Sequence, residues 1–212
     1  MKDFPMFTTQ YGAAALILRE IPYRKTAYIR IHDSLSPAEL LAECTDFCKV
    51  CGAEQILATG HDALQIYPVY SVLLEMRCQR DVLPDTDAAL WPVQEHTLEA
   101  WRRIYNERMK DVDNAAWMTE RDAAKMLETG DGYFIHREDT LLGIGRVSGD
   151  EMPVVISCIP GAGEDVVLAL NHGITSDTIR LEVASTNERA IRLYRRLGFF
   201  ATAERTKWYK IL

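Results

Sequence analysis

The stretch LEVASTNERAIRLYRRLGF, residues 181–199, decides the fold of this 212-residue chain. Apolar and polar side chains alternate at its start, which predicts a strand over 178–184 with one buried face. Asn187 is a good N-cap for a helix over 188–197, because its side-chain oxygen can accept from the first helical N–H groups. The apolar face of that helix has the spacing i, i+3, i+4 and i+7: Ala190, Leu193, Tyr194 and Leu197. Gly198 supplies the left-handed residue that commonly ends a helix.

The same residues resemble a known family. The pattern N-x-x-A-x-x-L-Y-x-x-x-G-F over 187–199, preceded by a strand, resembles the C-terminal motif of the GNAT N-acetyltransferase superfamily. From residue 88 onward, the predicted order of strand, two helices, three strands, helix, strand, helix and two strands also matches that fold. The resemblance implies an α/β (α+β) fold, with a mixed, mostly antiparallel central sheet and flanking helices, in a domain over 88–212.

The individual elements of this region are predicted from periodicity, caps and turns. Helices are expected over 97–109, 119–128, 165–171 and 188–197. Strands are expected over 133–136, 141–147, 154–159, 178–184, 199–203 and 207–212.

The resemblance implies acetyl-CoA as co-substrate, no metal, and direct attack of a primary amine on the thioester. It places the pantetheine arm between the strands 154–159 and 178–184, which splay apart, and the pyrophosphate on N–H groups of the loop and helix that follow the first strand. A main-chain N–H at the end of that strand would stabilise the oxyanion. The implied cofactor-binding residues are Ser157, Cys158, Ile159, Gly161, Ala162, Gly163, Asn187, Arg189 and Tyr194.

Two residues are implied to be catalytic. Tyr194 matches the family's general acid, which protonates the departing thiolate; the alternative from its spacing alone is a core tyrosine. Glu182 matches an acidic residue that some ribosomal-protein N-terminal acetyltransferases carry on this strand, and is the first candidate for the general base. Glu151, His136 and a water chain stay open as alternatives for the base.

The phosphate-binding loop departs from the family pattern. Residues 159–165, IPGAGED, keep Gly161-x-Gly163 but lack the Arg or Gln that usually precedes the glycines. Glu164 and Asp165 follow, where they suit a helix N-terminus but compete with an anionic ligand for it. Two hypotheses follow: an active N-acetyltransferase whose lost loop contacts are offset by the arginine-rich helix, or a degenerate, non-catalytic GNAT domain that binds a small ligand or a protein.

Charge is distributed unevenly along the chain. The formal net charge of −7 argues against a nucleic-acid binder. It divides into −1 over 1–80, −11 over 81–178 and +5 over 179–212. The basic end fits an anionic ligand, and the acidic middle favours a cationic acceptor, either a small-molecule amine or a peptide amine. A homodimer stays open.

The five cysteines and the apolar runs bear on the cellular compartment. An odd number of cysteines without an export signal indicates a reducing cytoplasm, and the run 12–18 is too short to span a bilayer. Cys44, Cys48 and Cys51 share one face of a predicted helix over 36–51. They fit small buried hydrophobes better than a metal site, because a fourth ligand at suitable spacing is missing.

The region 1–82 contains a weak internal repeat. With one gap, residues 58–67 align with 184–194, and each stretch follows a helix and a strand. The region is therefore predicted to be a partial GNAT-like module, separated from the domain 88–212 by the linker 83–87. It lacks a Gly-rich loop and is not expected to bind CoA.

Overall fold

The structure, a computed structural model, describes residues 5–212. It contains two units: one comprises the chain up to Leu73 together with Glu204–Leu212, and the other comprises Leu74–Ala203. These bounds differ from the predicted 1–82 and 88–212. Whether the units descend from one repeated module stays a prediction. Over the described residues, no helix combines the length and the apolar character needed to cross a membrane.

The first unit is a sheet with one long helix against it. Its strands are β1 Met6–Thr9, β2 Gly12–Ile17, β3 Thr26–Ser34 and β4 Gln55–Thr59, and the last part of β11 Phe200–Lys210. Its helices are α1 Ile21–Arg24, α2 Pro37–Val50 and a 3-10 turn, Asp62–Ile66. The strand order is β1-β2-β3-β4-β11, and only the β3–β4 pair is parallel.

Helix α2 covers one face of this sheet with four buried residues: Leu40, Leu41, Cys44 and Cys48. Pro37 begins the helix as its fixed φ favours. Ser36 is the N-cap residue, but its hydroxyl donates to the Glu39 carboxylate and makes no capping bond to the backbone.

The second unit is a sheet with helices on both faces. Its strands are the end of β5 Val69–Gln79, then β6 Ala89–Pro92, β7 Gly132–Arg137, β8 Thr140–Ser148, β9 Glu151–Ser157, β10 Thr178–Ala184 and the start of β11. Its helices are α3 Leu98–Met109, α4 Glu120–Thr129, α5 Gly163–Asn171, α6 Glu188–Arg196 and 3-10 turns Arg80–Val82 and Glu95–Thr97. The strand order is β5-β10-β9-β8-β7-β6.

Helix α5 is the most deeply buried helix of the second unit, with six consecutive buried residues from Val166 to Asn171. It packs against β8 and β9. This core also takes Met76 and Cys78 from β5, which precedes the predicted domain start, and Phe199, which follows α6. The core of the second unit therefore depends on chain that lies before residue 88.

The predicted fold class is confirmed: a mixed α/β fold with mostly antiparallel strand pairs and flanking helices. A capping box begins α4, because Thr119 Oγ1 accepts from the Asp122 N–H at 3.2 Å and the Asp122 carboxylate accepts from the Thr119 N–H. One expectation is wrong: strands 199–203 and 207–212 are a single strand, β11. Residues 204–207, between the two predicted strands, are extended and belong to β11, with Glu204 and Arg205 exposed.

Candidate active site

Strands β9 and β10 run parallel but pair at a single position, Arg180 with Glu151. The Arg180 N–H donates to the Asp150 carbonyl at 2.8 Å beside this pair. Beyond it, no further β9–β10 pairing occurs in the described part of the chain, so the two strands diverge toward their C-terminal ends. Pro153 lies two residues past Glu151 on β9 and has no N–H to donate to a neighbour. The splay that the family resemblance implies is present.

A cleft of about 460 Å³ lies at the C-terminal end of β9. Its walls come from the end of α3, the end of β9, the loop before α5, and α6. The apolar part of the lining consists of Met109, Val112, Val155, Ile156, Ile159 and Leu193. The cationic part consists of Arg108, Arg189, Arg192 and Arg196, against a single acidic residue, Glu164. The cleft therefore suits an elongated ligand that is anionic in one part and apolar in another.

Tyr194 lies on α6 and is part of the cleft lining. Its side chain packs against Phe199, with ring centroids 5.8 Å apart, and the residue is only 7% exposed. Burial raises the pKa of Tyr194 well above its ordinary value, so the phenol keeps its proton at neutral pH. Among residues 5–212, no group forms a hydrogen bond with its hydroxyl. A protonated hydroxyl without a hydrogen-bond partner, on a residue that lines a cleft, can donate to a ligand there.

The loop before α5 has its own geometry. Gly161 lies at φ +89°, a conformation that residues with a side chain rarely adopt, and this turn leads into the first residues of α5. The first helical N–H groups of α5 have no carbonyl partner within the helix and are directed toward its N-terminal end. Asp165 does not oppose an anion there, because it pairs with Arg137 at 2.6 Å. Glu164 does remain exposed in the cleft lining.

Cys158 connects the end of β9 to α3 across the cleft. Its N–H donates to the Leu142 carbonyl at 2.8 Å, so this amide already has a partner. Its carbonyl accepts from Arg108 Nη2 at 2.5 Å. Burial raises the pKa of the Cys158 thiol, although the Arg108 guanidinium lowers it in part, which keeps the thiol protonated.

The predicted site residues divide into two groups. The cleft brings together seven of them: Ser157, Ile159, Gly161, Gly163, Asn187, Arg189 and Tyr194. It does not include Cys158, Ala162 or Glu182 in its lining. Ala162 is buried in the core, where its carbonyl accepts the first helical hydrogen bond of α5. Asn187 acts as the N-cap of α6, since its Oδ1 accepts from the Ala190 N–H at 3.2 Å.

The candidates for the general base lie outside the cleft. Glu182 is exposed on the face of β10 opposite Leu181 and Val183. Glu151 bonds to Arg180 at 2.9 Å, and burial raises the pKa of its carboxyl. His136 lies on β7 next to the Trp91 and Phe134 rings. None of these three candidates for the general base lines the cleft that contains Tyr194.

Residues from the end of α3 and the segment after it line the cleft although the sequence did not single them out: Arg108, Met109 and Val112. Helix α3 carries three arginines, and nothing in their spacing distinguishes Arg108 from Arg102 or Arg103. Only the fold brings the last turn of α3 against the end of β9. In the described range, no group of three or more His, Cys, Asp or Glu side chains could hold a metal ion.

Comparison with known proteins gives a likeness of fold and none of sequence. No protein-family model matches the chain, and no curated protein matches it. A GCN5-related N-acetyltransferase from Anabaena variabilis aligns with a TM-score of 0.62 at 10% identity, over 94% of this chain and 59% of that protein. A GNAT-family acetyltransferase from Colwellia psychrerythraea aligns with a TM-score of 0.52 at 13% identity, over 97% of this chain and 84% of that protein.

A conserved protein of unknown function from Staphylococcus epidermidis matches over a similar extent. Its TM-score is 0.59 at 11% identity, over 99% of this chain and 94% of that protein. Identities this low carry information about the fold only, and the splayed β9–β10 pair is consistent with that likeness. The chain has the fold of the GNAT acetyltransferase superfamily.

Proposed function

We propose that this chain is an acetyl-CoA-dependent N-acetyltransferase that transfers the acetyl group to a primary amine by direct attack. The observation that carries the proposal is the cleft at the C-terminal end of β9, the strand that diverges from β10, with Tyr194 in the lining of that cleft. Its lining suits the donor, because the arginines match phosphates and the apolar residues match a pantetheine arm. The GNAT fold adds support, since several proteins of that fold are acetyltransferases.

In this proposal each part of the cleft has one role. The free edge of β9 holds the donor's amide groups, and the first N–H groups of α5 attract its pyrophosphate. The Ile159 N–H, which has no backbone partner among the described residues, faces the developing oxyanion. The amine nitrogen forms a bond to the acetyl carbon, the carbon–sulfur bond breaks, and Tyr194 donates its proton to the thiolate. Glu182, Glu151, His136 or water removes the proton of the amine.

A binding-only GNAT domain is the second candidate. Glu164 in the cleft lining favours it, and so does the position of the candidate bases Glu182, Glu151 and His136 outside that lining. Such a domain would hold a small ligand or a protein segment without turnover.

A thermal-unfolding titration with acetyl-CoA, combined with an assay of CoA release, distinguishes an enzyme, a binding-only domain and a chain that does not bind acetyl-CoA. We expect millimolar acetyl-CoA to raise the unfolding midpoint by several degrees, because a ligand that binds only the native state stabilises it by mass action. No shift at millimolar ligand would exclude the enzyme. A shift without CoA release in any acceptor assay would instead indicate binding only.

The role of Tyr194 is tested by replacing single hydroxyl groups. Tyr194→Phe should lower kcat by about 10²–10⁴-fold with little change in the Kd for acetyl-CoA, because a general acid acts on the leaving group. Tyr67 aligns with Tyr194 in the proposed repeat but lies in the first unit, so Tyr67→Phe is the matched control and should leave kcat unchanged. An unchanged kcat for Tyr194→Phe would remove this residue from the mechanism.

The acceptor is proposed to be cationic. The net charge of −11 over 81–178, the region that includes α3, α4 and the strands beside the cleft, supports this choice. A panel of polyamine, aminoglycoside, peptide and neutral amine acceptors, assayed by CoA release, tests it. Faster release with neutral or anionic amines would contradict the proposal.

A further inference from the structure

Arg108 is bonded to the main chain of the cleft rather than to an acidic side chain. Its Nη2 donates to the Cys158 carbonyl at 2.5 Å. Within the described residues Arg108 forms no ion pair, whereas Arg102 on the same helix pairs with Glu99 at 2.8 Å. A hydrogen bond from a charged donor is about twice as strong as one between neutral groups. The guanidinium of Arg108 therefore acts on the peptide group that Cys158 forms with the next residue.

This peptide group has its N–H at Ile159, on the side away from Arg108. The carbonyl belongs to Cys158 and the N–H to Ile159, and the bond that joins them is trans. In a trans peptide group the C=O and the N–H point in opposite directions. Ile159 lines the cleft, and over residues 5–212 no backbone carbonyl accepts from its N–H. One peptide group thus accepts a charged donor at one end and has a free donor at the other.

The bond from Arg108 both strengthens and orients this free N–H. A cation at the carbonyl oxygen polarises the peptide group, and consecutive hydrogen bonds strengthen one another by about 10–30% per bond. The Cys158 N–H donates to the Leu142 carbonyl at 2.8 Å, on β8. Cys158 is therefore held by β8 through its N–H and by α3 through its carbonyl, which fixes the direction of the Ile159 N–H.

We infer that Arg108 is a positioning residue for acyl transfer, which polarises and orients the Cys158–Ile159 peptide group so that the Ile159 N–H stabilises the oxyanion. This rests on the proposed function, in which that N–H faces the acyl carbonyl. Negative charge develops on the carbonyl oxygen as the amine nitrogen bonds to the acyl carbon, and it is lost again when the carbon–sulfur bond breaks. A stronger donor therefore favours the transition state more than the bound thioester.

The infrared spectrum of bound acetyl-CoA, labelled with carbon-13 at the thioester carbonyl, tests the inference without an acceptor. A stronger hydrogen bond to the carbonyl oxygen lowers its stretching frequency. We expect a lower frequency on the unsubstituted chain than on Arg108→Met, with Arg108→Lys between them because it keeps the positive charge. Arg103→Met is the control, since Arg103 is exposed on the same helix and outside the cleft lining, and it should leave the frequency unchanged.

Turnover gives a second, independent measure. Loss of an oxyanion donor lowers kcat by about 10²–10³-fold, and about 10–30% of that effect on a logarithmic scale is about two- to eightfold. Arg108→Met should lower kcat by this factor in CoA release with the fastest amine of the acceptor panel. The KM for acetyl-CoA and the unfolding midpoint should change little, because the effect acts on the transition state. Arg103→Met should leave kcat unchanged.

Each outcome decides one question. Equal carbonyl frequencies on the unsubstituted chain and on Arg108→Met would overturn the inference and leave the acetyltransferase intact. A change in Arg108→Lys as large as in Arg108→Met would also overturn it, since the packing of the side chain rather than its charge would then be responsible. No bound acetyl-CoA on the unsubstituted chain would overturn the proposed function itself, and with it this inference.

Discussion

Each unit contains one pair of parallel strands joined through a helix, and the extent of pairing differs between the two units. In the first unit, β3 and β4 are parallel and stay paired over five positions, from Thr26 with Gln55 to Arg30 with Thr59. In the second unit, β9 and β10 are parallel and pair only at Arg180 with Glu151. Each pair is connected through a helix, α2 or α5. The first pair leaves no space for a ligand between its strands, and the cleft of the second unit lies at the end of β9, where that strand is no longer paired with β10.

Around these strands the two units share local geometry. Gly12 lies opposite Ser34 at the end of β3, and Gly143 lies opposite Ser157 at the end of β9. A Cβ at either glycine would meet a backbone oxygen at 2.3 Å, that of the residue before the serine. Both positions therefore require glycine for the same close approach of two chains.

The helices that follow are capped in the same way. His61 Nδ1 accepts from the Ala63 N–H at 3.1 Å, as Asn187 Oδ1 accepts from the Ala190 N–H. The loops after the first strand differ: two residues separate β3 from α2, and five separate β9 from α5. Strand divergence and a longer loop therefore distinguish the unit that contains the cleft from the first unit.

The largest expected effect comes from removing chain that precedes residue 88. A fragment of residues 88–212 lacks β5 and loses Met76 and Cys78, each 1% exposed, from the core of the second unit. Truncating one such buried residue costs about 2–5 kcal/mol, and a whole strand costs more than a domain's usual stability of about 5–15 kcal/mol. We expect the fragment to be unfolded by circular dichroism.

A fragment that begins at residue 69 is the informative comparison, because it keeps all of β5 and still lacks most of the first unit. It should retain more ordered structure than the fragment 88–212. Equal, cooperative unfolding of both fragments would show that β5 contributes nothing to the second unit. It would then support the predicted domain bounds of 88–212.

A smaller effect is expected at the two glycines. Gly143→Ala and Gly12→Ala should each lower the free energy of unfolding by about 1–3 kcal/mol, because the new methyl group meets backbone atoms that cannot move aside cheaply. Gly173→Ala is the control, since its Cβ would lie 3.3 Å from a flexible Val147 methyl and should cost less. Urea denaturation measures all three.

The same two variants should differ in ligand binding. Gly143→Ala displaces the end of β9, where Ser157 lines the cleft, and should weaken acetyl-CoA binding. Gly12→Ala acts on the first unit and should leave that affinity unchanged. Equal loss of affinity in both variants would contradict the assignment of the site to the second unit alone.

The sequence predicted those features of the candidate site that depend on residues close together in the chain, whereas the roles of the site residues stay a prediction. The helix cap at Asn187, the apolar face with Tyr194 and the glycines of the loop are all set by residues a few positions apart. The fold class followed from the order of such elements. The motif also fixed which two strands diverge, since the family resemblance names the pair.

What the sequence could not provide depends on contacts between distant residues. Arg108 lines the cleft because α3 ends against Cys158, fifty positions away in the chain. The same helix carries two other arginines, and the local sequence does not show which of the three lines a cleft. Asp165 pairs with Arg137 on β7. This ion pair offsets the negative charge that the sequence places at the N-terminal end of α5. The sequence did not predict that β5 contributes to the core of the second unit. Its alternation of apolar and polar residues predicts a strand but does not show which unit the strand packs in.

The smallest expected effect is a pH dependence that belongs to the first unit. Burial raises the pKa of Cys44 to about 11 and of Cys48 to about 12, from an ordinary value of 9.0. Both thiols stay protonated in the native state at pH 10, while those of the unfolded chain ionise, so unfolding releases protons and stability falls as pH rises above 9. Between pH 8 and pH 10 each thiol should lower the free energy of unfolding by about 1.4 kcal/mol.

Urea denaturation at the two pH values measures this loss. In Cys48→Ala, the decrease in the free energy of unfolding between pH 8 and pH 10 that the two thiols cause should be about half as large. The packing lost in this variant costs the same at both pH values and does not change that difference. Cys51 is exposed, so Cys51→Ala should show the full decrease. Because lysines and tyrosines also titrate in this range, the comparison is between variants rather than between absolute values. A pH dependence that is identical in Cys48→Ala and the unsubstituted chain would mean that α2 does not bury this thiol.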